Sequence, residues 1–410
     1  MGMTELDTLT IEEASERLID YRGKTPPKTS SGVRLITAKV IKGGQILEEP
    51  KEFIAADFYD EWMRRGLPKK LDVLITTEAP LGEVAILRDD EKVALAQRVI
   101  LLRAREGIVD PVFMFYALQS DFGQGELKAR ASGTTVLGIK QSELLQVRIP
   151  VFPLPTQRRI ASTLSAYDEL IENNQRRIRI LENMARSLYR EWFVHFRYPG
   201  HESVPLTDSP LGPIPQGWEV KPAPDCIAIN PRVTVPRDGE KPFVPMGCLS
   251  NNSMLIADIV SRSGNSGAKF QNGDTLFARI TPCLENGKTG FVQFLPNSQD
   301  VAFGSTEFIV LRARTLSPEF VYCLARSDGF RNAAIKSMSG ATGRQRVQEK
   351  CFDAFLIAQP PRELLDRFTG IVAPSFRLIY SLHHQTENLR RTRDLLLPRL
   401  LSGQVNLRDI

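Results

Sequence analysis

At 410 residues and 42% hydrophobic content the chain exceeds one ordinary domain and can build more than one packed core, and its net charge of +5 permits a polyanionic partner without demanding one. The five cysteines (Cys226, Cys248, Cys283, Cys323, Cys351) are odd in number and form no CxxC pair, so neither a disulfide framework nor a zinc site is suggested. No basic start followed by an apolar run opens the sequence and no stretch approaches about 18 uncharged apolar residues, so a reducing cytoplasm is the expected compartment.

Residues 1–152 read as a β-rich region, with short apolar runs, many turn signals and little helical period. Over 153–197 the pattern changes to a central helical segment. Ile160, Leu164, Tyr167, Ile171, Asn174, Ile178, Leu181, Ala185, Leu188 and Trp192 follow alternating steps of four and three, a heptad seam that predicts one long helix packed lengthwise on another. About 33 residues at 1.5 Å each make a rod of roughly 50 Å, longer than a DNA turn of about 34–36 Å. Asn174 interrupts the seam and is a candidate register pin, wanting a polar partner such as Thr386 or Ser375. Residues 198–217 are rich in proline and glycine and read as a stiff, extended linker.

A second β-rich region follows over 218–359 and echoes the first in order. Asp72-Val73-Leu74-Ile75 through Pro80 answers Asp274-Thr275-Leu276-Phe277 through Pro282, with the same Asp-to-Pro spacing. Val99 to Arg105 answers Phe308 to Arg314, and Asp110-Pro111 answers Ser317-Pro318, each pair opening a helix with proline in its first turn. Ser132-Gly133 answers Ser339-Gly340, and Pro153 answers Pro360. Ordered echoes of this kind indicate a duplicated unit. A second helix over 360–404 carries Leu365, Phe368, Val372, Ser375, Ile379, Leu382, Thr386, Leu389, Arg393, Leu396 and Leu400 at the same alternation, with Pro374 expected to kink it or delay its start and Gly403 to stop it. Residues 405–410 form a tail.

Motifs that would carry chemistry fail on inspection. Gly287-Lys288-Thr289 resembles the end of a phosphate loop, but Pro282 stands where that loop needs glycine; a hairpin turn at Asn286-Gly287 explains it better. Asp274, Glu285 and Lys288 lack the spacing of a metal nuclease, and Asp274 has an echo in Asp72 without a matching glutamate. Asn230-Pro231-Arg232-Val233 falls short of the box with which an adenine methyltransferase clamps a flipped base, and no glycine-rich methyl-donor loop precedes it. His195, His201, His383 and His384 lie on helix or linker. The chain reads as a binder with no catalytic residue, metal or cofactor of its own.

Pro153 to Ile160, Leu164 to Gln175 and Leu188-Tyr189-Arg190-Glu191-Trp192-Phe193 together resemble the central conserved helix of the specificity subunits of type I restriction-modification enzymes. Leu395 to Gly403 resembles the end of their distal helix, and Pro213-Ile214-Pro215-Gln216-Gly217-Trp218 the opening of their second recognition domain. The resemblance implies an α+β fold: two pseudo-repeated, mixed but β-rich target recognition domains separated by two long helices in an antiparallel coiled coil. It also implies double-stranded DNA as ligand, one half of a bipartite asymmetric site per domain. The partners would be two methylation subunits and the restriction or motor subunits, which carry S-adenosylmethionine, ATP and magnesium. The alternative is a scaffold that binds no DNA.

For base reading the favoured residue types are arginine toward guanine and asparagine or glutamine toward adenine, with lysine, serine and threonine on phosphates. The candidates in the first domain are Arg22, Lys24, Lys128, Arg130, Ser132, Thr134, Thr135 and Lys140. In the second they are Lys336, Ser339, Thr342, Arg344, Gln345 and Arg346, with Arg279 and Lys288 on an expected hairpin. A plain turn into the next strand is the competing explanation of both Ser-Gly segments. For partner or coiled-coil contact the candidates are Ile171, Asn174, Ile178, Leu181, Leu188, Trp192, Phe193, Ile379, Leu382, Thr386, Leu389 and Leu396, with Trp192 either at a partner surface or sealing the helix pair.

Overall fold

The computed structural model describes residues 7–404 apart from Arg22 and Thr342. It divides into two compact units, residues 1–171 with 388–410 and residues 172–387.

In the first unit the apolar run Val73–Thr77 is buried at every position, as a central strand covered on both faces requires. It lies between Val99–Ala104 and Leu81–Ile86 in a four-stranded antiparallel sheet completed by Ser15–Asp20. The two-residue alternation of a strand then sorts the side chains. Val73, Ile75, Ile100 and Leu102 pack with Phe113, Met114 and Leu118 of the helix Pro111–Gln119, whereas Leu74, Val99 and Leu101 join a second core. That second core is shared with a smaller sheet, Phe53–Ile54, Val33–Ile36 and Val93–Leu95, in which the last two strands are parallel.

The second unit repeats this plan. Its four-stranded sheet has the order Ile227–Ile229, Phe308–Ala313, Thr275–Ala278, Thr289–Phe291, and its second sheet again contains a parallel pair, Lys241–Val244 with Ala302–Gly304. Phe277, Ile309 and Leu311 face the helix Pro318–Arg326, and Leu276, Phe308 and Val310 face the second sheet. The helices open as the sequence indicates: Asp110 accepts from the amides of Val112 and Phe113 at 3.0 Å, and Ser317 from Phe320 at 3.3 Å, each with proline in the first turn. The echoed aspartates are structural. Asp72 takes a two-pronged contact from Arg103 (2.8 and 2.7 Å) and Asp274 the same contact from Arg312 (2.7 and 2.6 Å), both carboxylates being buried.

The first long helix spans Leu154–Tyr189 and ends in a π-turn, Arg190–Val194. The last spans Arg362–Leu401. Pro374 therefore does not delay its start: that proline is exposed within the helix, twelve residues after Arg362. The helix stops ahead of Gly403, which takes a left-handed φ of +70°. In the first unit Ile160, Ala161 and Leu164 share a core with Leu400 and Leu401, and Asp168 meets Arg393, the order expected of antiparallel partners. In the second unit Ile178, Ala185 and Trp192 share a core with Phe368, Val372, Ile379 and Leu382.

One row of the buried stripe lies one position beyond the heptad seam. Asp168, Glu182 and Tyr189 are buried, while Tyr167, Leu181 and Leu188 are half-buried; Phe376 takes the inner place expected of Ser375. The offset is constant along the helix: Leu164, Ile171, Ile178, Ala185 and Trp192 stay buried seven apart, and Ala161, Asp168, Glu182 and Tyr189 form the second buried row. Ile171, Ile178, Ile379 and Leu382 are buried as expected, and Leu389 and Leu396 half-buried.

Two expectations are corrected. Asn174 and Thr386 are both buried, but the threonine hydroxyl donates to Leu382 O in its own helix at 2.8 Å and Ser375 likewise to Ile371 O at 3.3 Å. Neither pins Asn174. Residues 198–217 are not an extended spacer: they form a short ladder, Leu206–Thr207 with Ile214–Pro215, and place Tyr198 and Ile214 in the core beside Trp218. Among the described residues no helix is long and apolar enough to cross a membrane.

Candidate nucleic-acid interface

Each unit presents a loop clamped to the end of its central strand. In the first, Ser132 and Gly138 exchange backbone hydrogen bonds (2.8 and 2.9 Å), Gly138 also bridges Glu78, and Ile139 N donates to Thr77 O at 3.0 Å. In the second, Ser339 and Arg346 exchange the same pair (3.1 and 2.9 Å), Arg346 bridges Ile280, and Val347 N donates to Arg279 O at 2.8 Å. The echoed Ser-Gly pairs therefore mark equivalent turns. Gly133 and Gly340 hold φ of +115° and +126°, and a Cβ on Gly133 would sit 2.2 Å from Val136 O, so the first turn admits no side chain there.

These clamps hold short exposed loops away from the core. Thr134, Thr135, Val136 and Leu137 are exposed in the first unit, Arg344 in the second. Ser132 and Lys140 line one recess with Gln97 and Arg98, and Lys24 is exposed next to Gly23 of the same recess. Lys128 and Lys336 occupy equivalent exposed places, in the last turns of Asp121–Ala129 and Asp328–Lys336. Arg22 and Thr342 lie outside the described residues.

Several candidates are already engaged within the fold. Arg130 is half-buried between Glu126 (3.6 Å) and Glu143 (3.9 Å). Arg279 is not on an open hairpin: it donates to Glu349 at 2.6 Å and Val347 O at 3.2 Å. The link between Thr275–Ala278 and Thr289–Phe291 is a wound turn rather than a tight hairpin at Asn286-Gly287, with Asn286 N donating to Pro282 O, and Lys288 reaches Met246 O at 3.0 Å. Arg346 forks onto Glu307, at 2.7 Å for its shortest contact, and holds that carboxyl below its ordinary range. Gln345 is half-buried and Ser339 accepts from Gln348 at 2.6 Å. Trp192 and Phe193 are buried against Phe368, so they seal the unit rather than face a partner.

A basic surface that sequence reasoning missed lies on the second sheet of the second unit. Two adjoining recesses share Thr306; one is lined by Arg237 and Arg262, the other by Arg232, Lys269 and Arg279. Arg232, Arg237 and Arg262 are exposed and, among the described residues, their side chains donate no hydrogen bond and join no ion pair. Asp238 and Glu240 stand nearby in sequence, and Glu240 is engaged by Ser261 Oγ at 2.9 Å. The sequence signal was present in the Gly/Ser stretch 263–267 between Arg262 and Lys269, but it has no period to mark it. The first unit differs at its second sheet, where Lys28 and Lys39 are drawn to Glu52 at 2.8 and 3.7 Å.

The two α+β units share one framework and differ in their exposed loops. Residues 37–183 match the family described as the type I restriction modification DNA specificity domain. The chain is 26% identical over 352 residues to the type I restriction enzyme MjaIX specificity subunit of Methanocaldococcus jannaschii, covering 82% of this chain and 78% of that one. It is 20% identical over 404 residues to the HindI specificity subunit of Haemophilus influenzae, covering 82% and 87%. The fold matches the crystal structure of a type I restriction-modification system S subunit from M. genitalium with a TM-score of 0.61 at 16% identity, over 97% and 96% of the two chains. Along most of its length the chain is similar to type I specificity subunits, the family its long helices resemble.

Proposed function

We propose that this chain is the non-catalytic, sequence-specific double-stranded DNA-binding subunit of a type I restriction-modification complex, each unit reading one half of a bipartite asymmetric site. It directs adenine-N6 methylation by two methylation subunits and cleavage by restriction subunits, in the cytoplasm. S-adenosylmethionine, ATP and magnesium belong to those partners. Within this chain, among the described residues, no three His, Cys, Asp or Glu side chains gather as a metal site.

The observation that carries this reading is that one framework is built twice, down to the Asp72–Arg103 and Asp274–Arg312 pairs, while the exposed loops on it differ. A duplicated scaffold with divergent polar surfaces suits two different half-sites, since base readout is set by the few side chains that reach a groove edge.

The test mixes the purified chain with the methylation subunit encoded beside it. Site-specific adenine methylation that requires both proteins is the expected result. Methylation by this chain alone would make it an enzyme, and an inert mixture in which neither protein binds DNA would favour the scaffold.

A further inference from the structure

Three arginines of the second unit are neutralised by carboxylates: Arg279 by Glu349, Arg312 by Asp274 and Arg346 by Glu307. Arg262 is arranged differently. It ends the edge strand Val260–Arg262, all of whose residues are exposed. Its guanidinium carbon lies 4.8 Å from the ring centroid of Phe243, and that ring packs edge-on against Phe303 at 5.0 Å. Phe243 and Phe303 are direct partners across the parallel strands at the centre of the sheet, so the aromatic platform is fixed by the backbone ladder.

Stacking on a ring holds a guanidinium plane without using its N–H groups. Among the described residues the Arg262 side chain donates no hydrogen bond and has no acidic partner, so its planar fork is oriented yet open. Such a fork matches two acceptors lying side by side, the chemistry offered by O6 and N7 of guanine and also by a phosphate. A phosphate is served equally well by a mobile cation, whereas a base edge must be met in a set plane; pre-orientation favours the base.

We propose that Arg262 is a specificity-determining residue of the second unit, reading one guanine in the major groove, with Phe243 as its positioning residue. This rests on the reading of the chain as a DNA-specificity subunit. Arg232 and Arg237 lie on the same basic surface without an aromatic platform and serve the backbone.

The experiment uses the full chain assembled with its methylation subunits. Binding is measured to a duplex carrying the target found by sequencing methylated adenines, and to duplexes with each base pair of the second half-site replaced in turn. Arg262→Ala should weaken binding to the target roughly ten- to hundredfold and erase discrimination at one G·C pair only. Arg262→Lys, which keeps the charge and loses the fork, should not restore that discrimination, and Phe243→Leu should reduce it in part. Thermal melting shows that each variant is folded. Uniform weakening across all duplexes with a shallower salt dependence would make Arg262 a phosphate contact and overturn the proposal, as would unchanged discrimination. Absence of any sequence preference in the unsubstituted complex would instead remove the DNA-specificity reading beneath it.

Discussion

Glu182 shows what a single buried carboxylate does in this molecule. It lies 5% exposed on the first long helix, accepts from Ser253 Oγ at 3.0 Å and from Met254 N, and burial raises its pKa above the ordinary carboxylate range. A folded-state pKa above the unfolded one means that the native state holds more protons between the two values, so stability falls as pH rises through that window. Glu182→Gln keeps an acceptor without the charge and should flatten this decline; Glu182→Ala leaves the Met254 amide unpaired and should cost about 1–3 kcal/mol. Thermal melts across pH compare them. Glu307 has the opposite sign: Arg346 lowers its pKa, so its contribution is present above the unfolded carboxylate value and is lost as pH falls through the lower folded one. Because Glu307 neutralises Arg346, Arg346→Gln should change the salt slope of DNA binding less than either Lys336→Gln or Arg344→Gln alone, each of which removes one exposed cation. Equal slopes would contradict that division.

At the scale of elements, the twin ion pairs brace equivalent strands. Asp72→Ala strands Arg103, and Asp274→Ala strands Arg312; each should cost about 3–5 kcal/mol, while replacing both members of one pair with apolar residues should cost less than the sum of the single changes. Denaturant unfolding of the four single and two double variants measures this. The strands were legible in the sequence because the apolar runs and the Asp-to-Pro spacing recur. The long helices were legible to within one position, the residual slip falling at Asp168 and Glu182, acidic side chains that take inner places without an apolar signal. Asp168 was not, because its partners Tyr116 (2.6 Å) and Arg393 (2.5 Å) come from distant parts of the chain. Proline and glycine in 198–217 report backbone stiffness and cannot report that Tyr198 and Ile214 find a core. The basic residues at 232, 237, 262 and 269 sit on short strands and loops with no periodicity, so only folding brings them to one surface.

For the molecule as a whole, the proposed function divides recognition between two units of one design. Changes confined to the exposed side chains of one unit should then alter one half of the target and leave the other half as it was; comparing the methylation motifs of variants in loop 134–137 with those of variants at Arg262 checks this. The central claim is tested most directly by sequencing methylated adenines in DNA treated with the reconstituted complex. One asymmetric, two-part motif that vanishes when this chain is omitted is the predicted result. Methylation without a motif, or a motif that persists in its absence, would contradict the account.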